Sequence, residues 1–115
     1  MTRERFSAGQ TFREFVAAAH ANCDLWVAMA RRARVAPETV ARADALPGRR
    51  FLLVLNEDWC GDAVNTLPYL AALADASAHL ELRVVGRDAN PDLMDAHLTG
   101  ASRSIPVVIA YDEGL

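Results

Sequence analysis

The chain contains no lysine: all twelve basic side chains in its 115 residues are arginine, 15 acidic residues outnumber them, and the net charge is −3. Without a basic excess there is no stripe to follow a phosphate backbone, which argues against nucleic-acid binding. No apolar run approaches the roughly 20 residues of a membrane span, and residues 1–10 lack the apolar core of a secretory leader, so the expected location is cytoplasmic, away from membranes. Cysteine is scarce; the two present, Cys23 and Cys60, form no disulfide framework and suit a reducing compartment. His20, His79 and His97 stand at no ligand spacing and no CxxC pair exists, so no metal site is expected. Linkers, repeats and low-complexity tracts are missing too. The length then predicts one domain over residues 1–115, a helical extension (1–49) preceding an α/β core (50–115).

Apolar residues make up 52% of the chain, and their periodicity supplies the elements. Phe12, Phe15, Val16, Ala19, Cys23, Trp26, Val27 and Ala30 recur near every 3.6 positions, predicting one long amphipathic helix over 11–34, or two in series with Asn22 capping the second. Pro37 suits the first position of a short helix that ends before Pro47 and Gly48. A strand over 51–56 leads into a helix over about 60–76, marked by Ala63, Val64, Leu67, Leu70, Ala71 and Ala74. Leu80, Leu82 and Val84 alternate with Glu81 and Arg83, predicting a second strand over 80–85. Asn90 and Pro91 open a short helix, and residues 106–111 form a last strand before a turn at Asp112, Glu113 and Gly114.

Trp59, Cys60, Gly61 and Asp62 fall where the first strand ends and its helix starts. Cys60 is therefore expected to cap the helix, where unpaired backbone N–H groups and the helix dipole favour the nucleophilic thiolate. Gly61 leaves room for approach, while the charges of Asp58 and Asp62 oppose the dipole. This position also lies at the carboxyl end of a strand, where open α/β sheets bind ligands.

With Pro68 eight residues beyond the cysteine, and Arg103, Ser104, Ile105 and Pro106 opening a later strand, the WCGD motif resembles the thioredoxin superfamily. The strings EDWCGDA, RDANPDLMDAHL and RSIP resemble a bacterial thioredoxin-like subgroup in particular, over roughly residues 50–112. Abundant alanine and the exclusive use of arginine point the same way, to a GC-rich bacterial genome. The resemblance implies a central mixed sheet flanked by helices, a proline kink at Pro68, and a cis bond before Pro106 that faces the thiol. Ile105 would then offer its backbone to an extended substrate as an added strand, with Trp59 as one groove wall and Gly61 and Asp62 beside it. Thioredoxin folds continue into a further edge strand and helix after the turn where this sequence stops. The extension 11–34 or a second copy in a homodimer is accordingly expected to cover the sheet face left open.

Departures from the family pattern narrow the chemistry. The second active-site cysteine falls on Ala63, the intervening proline on Asp62, and the family's buried aspartate on Val54. CxxC has become CGDA, so no disulfide can close within the motif. Two functions remain: a single-thiol thiol–disulfide oxidoreductase in which Cys60 is the nucleophile and an external thiol resolves the intermediate, or a binding module that keeps the groove without redox turnover. Partners would be protein or small-molecule thiols and disulfides. No cofactor is implied beyond a low-molecular-weight thiol such as glutathione or bacillithiol as co-substrate. An iron–sulfur role like that of single-thiol glutaredoxins ranks last, because CGDA is not their CGFS. Cys23 reads as a buried structural thiol on the helical stripe, Arg87 as a surface arginine ahead of a groove residue that would favour an anionic thiol such as glutathione or bacillithiol, and Asp88, Asp92 and Asp95 as caps and solvated charges.

Overall fold

The computed structural model describes residues 1–115. In chain order its elements are α1 (Arg3–Ser7), α2 (Phe12–Ala18), α3 (Cys23–Arg32), α4 (Pro37–Asp44), β1 (Arg50–Asn56), α5 (Gly61–Ala76), β2 (Leu80–Gly86), α6 (Pro91–Asp95) and β3 (Val107–Tyr111). β1 lies at the centre of a three-stranded mixed sheet of order β2-β1-β3, parallel to β2 and antiparallel to β3. Residues 51–55 are an unbroken apolar run and, with Asn56, are all buried, as a strand covered on both faces should be. No helix is long and apolar enough to cross a membrane.

The pleat sorts the two cores. Leu52 and Val54 of β1 pair with Leu82 and Val84 of β2, and their shared face meets Val64 and Leu67 of α5, Phe15 of α2 and Trp26 of α3. On the opposite face Phe51 and Leu53 meet Phe6 of α1, with Leu93 and Tyr111 at the margin. The alternation in β2 thus works as expected, apolar residues inward on the α5 side. Glu81 on the other side bonds Arg49 and Arg83, each at 3.2 Å. Helices α2 and α3 do cover the sheet face shared with α5, but only over β1 and β2. Val108 and Ala110, opposite Val54 and Leu52, stay exposed on β3, Val108 to 47%.

The stretch 11–34 takes the second of its two expected forms, two helices in series, because the chain breaks at 19–22: Ala19 is extended and Asn22 sits in the left-handed region at φ 56°. Three other expectations, the caps at Asn22 and Asn90 and the burial of Cys23, require correction. A capping box between Thr11 and Glu14 starts α2, whereas the Asn22 side chain caps nothing and instead donates to the Asp58 carbonyl at 3.2 Å. The break also resets the helical phase. Trp26 turns inward, and Cys23, expected in the core, is exposed with its thiol donating to the Ala19 carbonyl at 3.0 Å. Asn90 precedes α6 without capping it; its amide donates to the Gly86 carbonyl at 2.9 Å and accepts from Arg5 at 3.2 Å. Helix α1 was not foreseen. Arg5 ties it to α6 by two 2.7 Å bonds to Asp92, which hold that carboxyl down at about 2.

Candidate functional site

The turn from β1 into α5 places Cys60 as the residue preceding the helix, with extended φ/ψ of −76° and 109°. Its amide donates to the Glu57 carbonyl at 3.2 Å and its carbonyl accepts from Val64 at 3.4 Å, so the backbone on both sides is fixed. The Ile105–Pro106 peptide bond is cis. The Cys60 thiol donates to the Ile105 carbonyl, with Sγ 3.6 Å from the oxygen. Two segments 45 residues apart in sequence therefore meet at the sulfur.

The surroundings of that sulfur differ from the open mouth expected. Cys60 exposes only 7% of its surface and packs in the same core cluster as Val54, Ala63 and Val64. Its floor at the two departure positions, Val54 and Ala63, is fully buried and apolar, so neither position supplies a resolving thiol or a carboxylate. Pro68 sits within α5, buried, where it lacks the N–H that would bond the Val64 carbonyl.

Of the expected site residues, Trp59, Gly61 and Asp62 flank Cys60 along the turn, and the Ile105–Pro106 segment meets it through the Ile105 carbonyl. Trp59 is 51% exposed, and Gly61 and Asp62 on the first turn of α5 are exposed as well, while Ile105 and Pro106 are partly covered. A methyl group built on Gly61 would meet nothing within 4 Å, so neither the backbone nor packing demands glycine there. That position faces open space, as an approach path requires.

Of the two readings of Arg87, surface arginine and groove residue, its contacts go beyond the first. Its guanidinium lies 5.1 Å over the Trp59 ring, and it donates to Asp88 at 3.0 Å and to the Arg103 carbonyl at 3.2 Å. The backbone amide of Arg87 in turn donates to Glu57 at 2.7 Å. One side chain thus links the Trp59 turn to the loop that carries Ile105 and Pro106. Arg103 closes the network on Asp95 at 3.2 Å and Asp88 at 3.8 Å, so these two aspartates serve as ion-pair partners. Replacing Arg87 with alanine is expected to cost about 1–2 kcal/mol from the lost stacking and charged hydrogen bonds. Guanidinium unfolding together with Trp59 emission would measure it, and a loss below about 0.3 kcal/mol would contradict the bridging role.

Asp58 also has a role that the sequence did not disclose. Its carboxylate accepts from the backbone amides of His20 at 2.7 Å and Ala21 at 3.1 Å, and its carbonyl accepts from Trp26 Nε1 at 2.9 Å. The bond from His20, followed by that from Ala21, holds the carboxyl below its ordinary range against a partial desolvation penalty. A depressed folded-state value means stability that is present above the unfolded value of about 4 and is lost as the pH falls through the folded value. Asp58→Ala should therefore unfold at a lower temperature than the wild type at neutral pH. The gap should close as the solution is acidified below about pH 4; a gap independent of pH would remove the carboxylate from this role. The only sequence cue was an acidic residue two positions before the cysteine, and its partners lie 37 and 38 residues away.

The thioredoxin family profile matches residues 9–115, reaching well beyond the 50–112 segment that carries the motifs. Among solved structures, a Pseudomonas aeruginosa protein of unknown function superposes with a TM-score of 0.77 at 23% identity, over 95% of this chain and 68% of that one. An HIV epitope-scaffold superposes with a TM-score of 0.76 at 24% identity, over 96% of this chain and 70% of that one. At these identities the likeness concerns the fold alone. No curated protein matches the sequence.

Proposed function

Because the chain belongs to the thioredoxin family, we propose that its activity is thiol–disulfide exchange by the single thiol of Cys60, with an external thiol resolving the intermediate. One observation carries this reading: the Cys60 sulfur lies 3.6 Å from the Ile105 carbonyl, where a backbone segment beside Trp59 can align a bound chain against it. In the first step the Cys60 thiolate attacks one sulfur of a disulfide R–S–S–R′. The Cys60–S–R bond forms as the old S–S bond breaks, and R′S⁻ leaves with the electron pair and takes up the proton lost by Cys60. An external thiolate then attacks the R sulfur, and Cys60 departs with its electron pair and recovers a proton from the incoming thiol. One disulfide is exchanged for another, and the protein ends unchanged. Val54 and Ala63 agree with external resolution, because neither can supply the second thiol or its proton acceptor. Glutathione or bacillithiol fits as the resolving thiol.

A second reading rests on the burial of Cys60, which exposes 7% of its surface. On that reading Trp59, Gly61, Asp62, Ile105 and Pro106 bind a polypeptide segment without chemistry. A glutathionylated peptide incubated with free glutathione separates the two. Exchange should release the peptide at a rate proportional to the concentration of this protein. A rate equal to the protein-free background, with the peptide still retained on the immobilised protein, would favour the binding module.

A further inference from the structure

A groove of about 1210 Å³ lies between α2, α3, the C-terminal half of α5 and the start of β2. None of Trp59, Cys60, Gly61, Asp62, Ile105 and Pro106 lines it, so it is separate from the thiol site. Phe12 and Val16 of α2, Val27 and Ala30 of α3, Ala72 of α5 and Leu80 of β2 form its apolar walls. Val27 is 39% exposed, so part of this apolar surface stands open to solvent. The walls offer few hydrogen bonds. Thr11 is the one lining side chain with an uncharged hydroxyl or amide, and its oxygen already accepts from the Glu14 amide at 3.1 Å. The Cys23 thiol is spent on the Ala19 carbonyl. An occupant must therefore bring little polar surface of its own, which an extended polypeptide cannot do and an alkyl chain does.

Charge is distributed unevenly around these walls. Glu81 is shared by Arg83 and Arg49 at 3.2 Å each and by Arg3 at 3.9 Å, so β2 presents no unpaired negative charge. Arg34 spends its Nη1 on the Arg31 and Ala33 carbonyls, both at 2.9 Å. Asp75 on α5 has no cation partner and repels an anion from that side. Arg13 on α2 makes no side-chain hydrogen bond and no ion pair, which leaves its planar guanidinium fork open to a carboxylate.

We propose that this groove binds a long-chain carboxylate, with the alkyl chain between α2, α3 and α5 and the carboxylate on Arg13. Burial of the chain against Phe12, Val16 and Val27 supplies the affinity, and the arginine selects an anionic head over a neutral or cationic one.

Cys23 is exposed and lines the same groove, so its alkylation reports occupancy. The full chain is treated with iodoacetamide in the presence of decanoate, decanol, decyltrimethylammonium or acetate, the amphiphiles below their micelle-forming concentrations. Mass spectrometry then quantifies the two cysteine peptides separately. Decanoate should slow alkylation of Cys23 saturably and leave that of Cys60 unchanged, while acetate should affect neither. The half-saturating concentration of decanoate should lie at least about tenfold below those of decanol and decyltrimethylammonium. Arg13→Gln, at an exposed position with no partner to lose, should keep the fold and raise the decanoate value to that of decanol. Equal protection by decanol or decyltrimethylammonium, no saturable protection, or decanoate binding unchanged in Arg13→Gln would each overturn the proposal. So would alkylation of Cys23 that slows as the protein concentration rises without any amphiphile, because a second copy would then fill the groove.

Discussion

Replacing Trp26 with alanine is expected to lower stability by about 3–5 kcal/mol, a large share of the roughly 5–15 kcal/mol that holds a domain of this size folded. Trp26 is fully buried, 4.9 Å from the Phe15 ring and 6.3 Å from the Phe12 ring between centroids. Its indole N–H donates to the Asp58 carbonyl at 2.9 Å, so the same side chain fills the core and ties α3 to the turn before Cys60. Alanine would leave a cavity between α2, α3 and α5 and orphan much of that attachment. Trp26→Phe keeps most of the volume and loses the N–H, with an expected cost nearer 1–2 kcal/mol beyond its change in size. Urea unfolding should show the midpoint falling in that order with little change in slope. A loss below about 1 kcal/mol for Trp26→Ala would mean that α3 is not fastened to the site in this way.

Cys60→Ser should reduce exchange on a glutathionylated peptide by on the order of a thousandfold or more, down to the background reaction between free glutathione and the peptide. A hydroxyl is a far weaker nucleophile than a thiolate and forms no disulfide, so the first step is lost outright. The fold should tolerate the change. Serine is nearly isosteric, and its hydroxyl can donate to the Ile105 carbonyl as the thiol does now. Circular dichroism and the unfolding midpoint should therefore stay close to the wild type while turnover disappears. Cys23→Ser should leave turnover unaltered, because that thiol is exposed, bonds the Ala19 carbonyl, and lines the cleft between α2, α3 and α5.

Local patterns carried much of this structure. β1 and β2 announced themselves through an apolar run and an alternating one, and α5 through its period and through Pro68 and Cys60 at fixed positions. The meeting of Cys60 with Ile105 was readable only through family resemblance, because spacing cannot show that two segments 45 residues apart touch. Non-local fastening escaped altogether. The break at 19–22 depends on the Asp58 carboxylate accepting two amides there, and with the break went the helical phase that would have buried Cys23. For Arg87 a surface charge ranked ahead of a groove position because neither the Trp59 ring nor the Arg103 carbonyl adjoins it in sequence. Helix α1 is short and polar apart from Phe6, whose burial comes from Phe51, 5.3 Å away in an edge-on contact.

Exposure and placement single out different cysteines in this chain: Cys23 is the accessible thiol, and Cys60 is the one placed at the head of α5 against Ile105. Incubation with glutathione disulfide followed by intact mass and peptide mapping tells them apart. One glutathione per chain, carried on the Cys60 peptide and forming faster than on free cysteine, is the expected result. An adduct confined to Cys23, with Cys60 unmodified in the folded protein, would contradict Cys60 as the exchanging thiol.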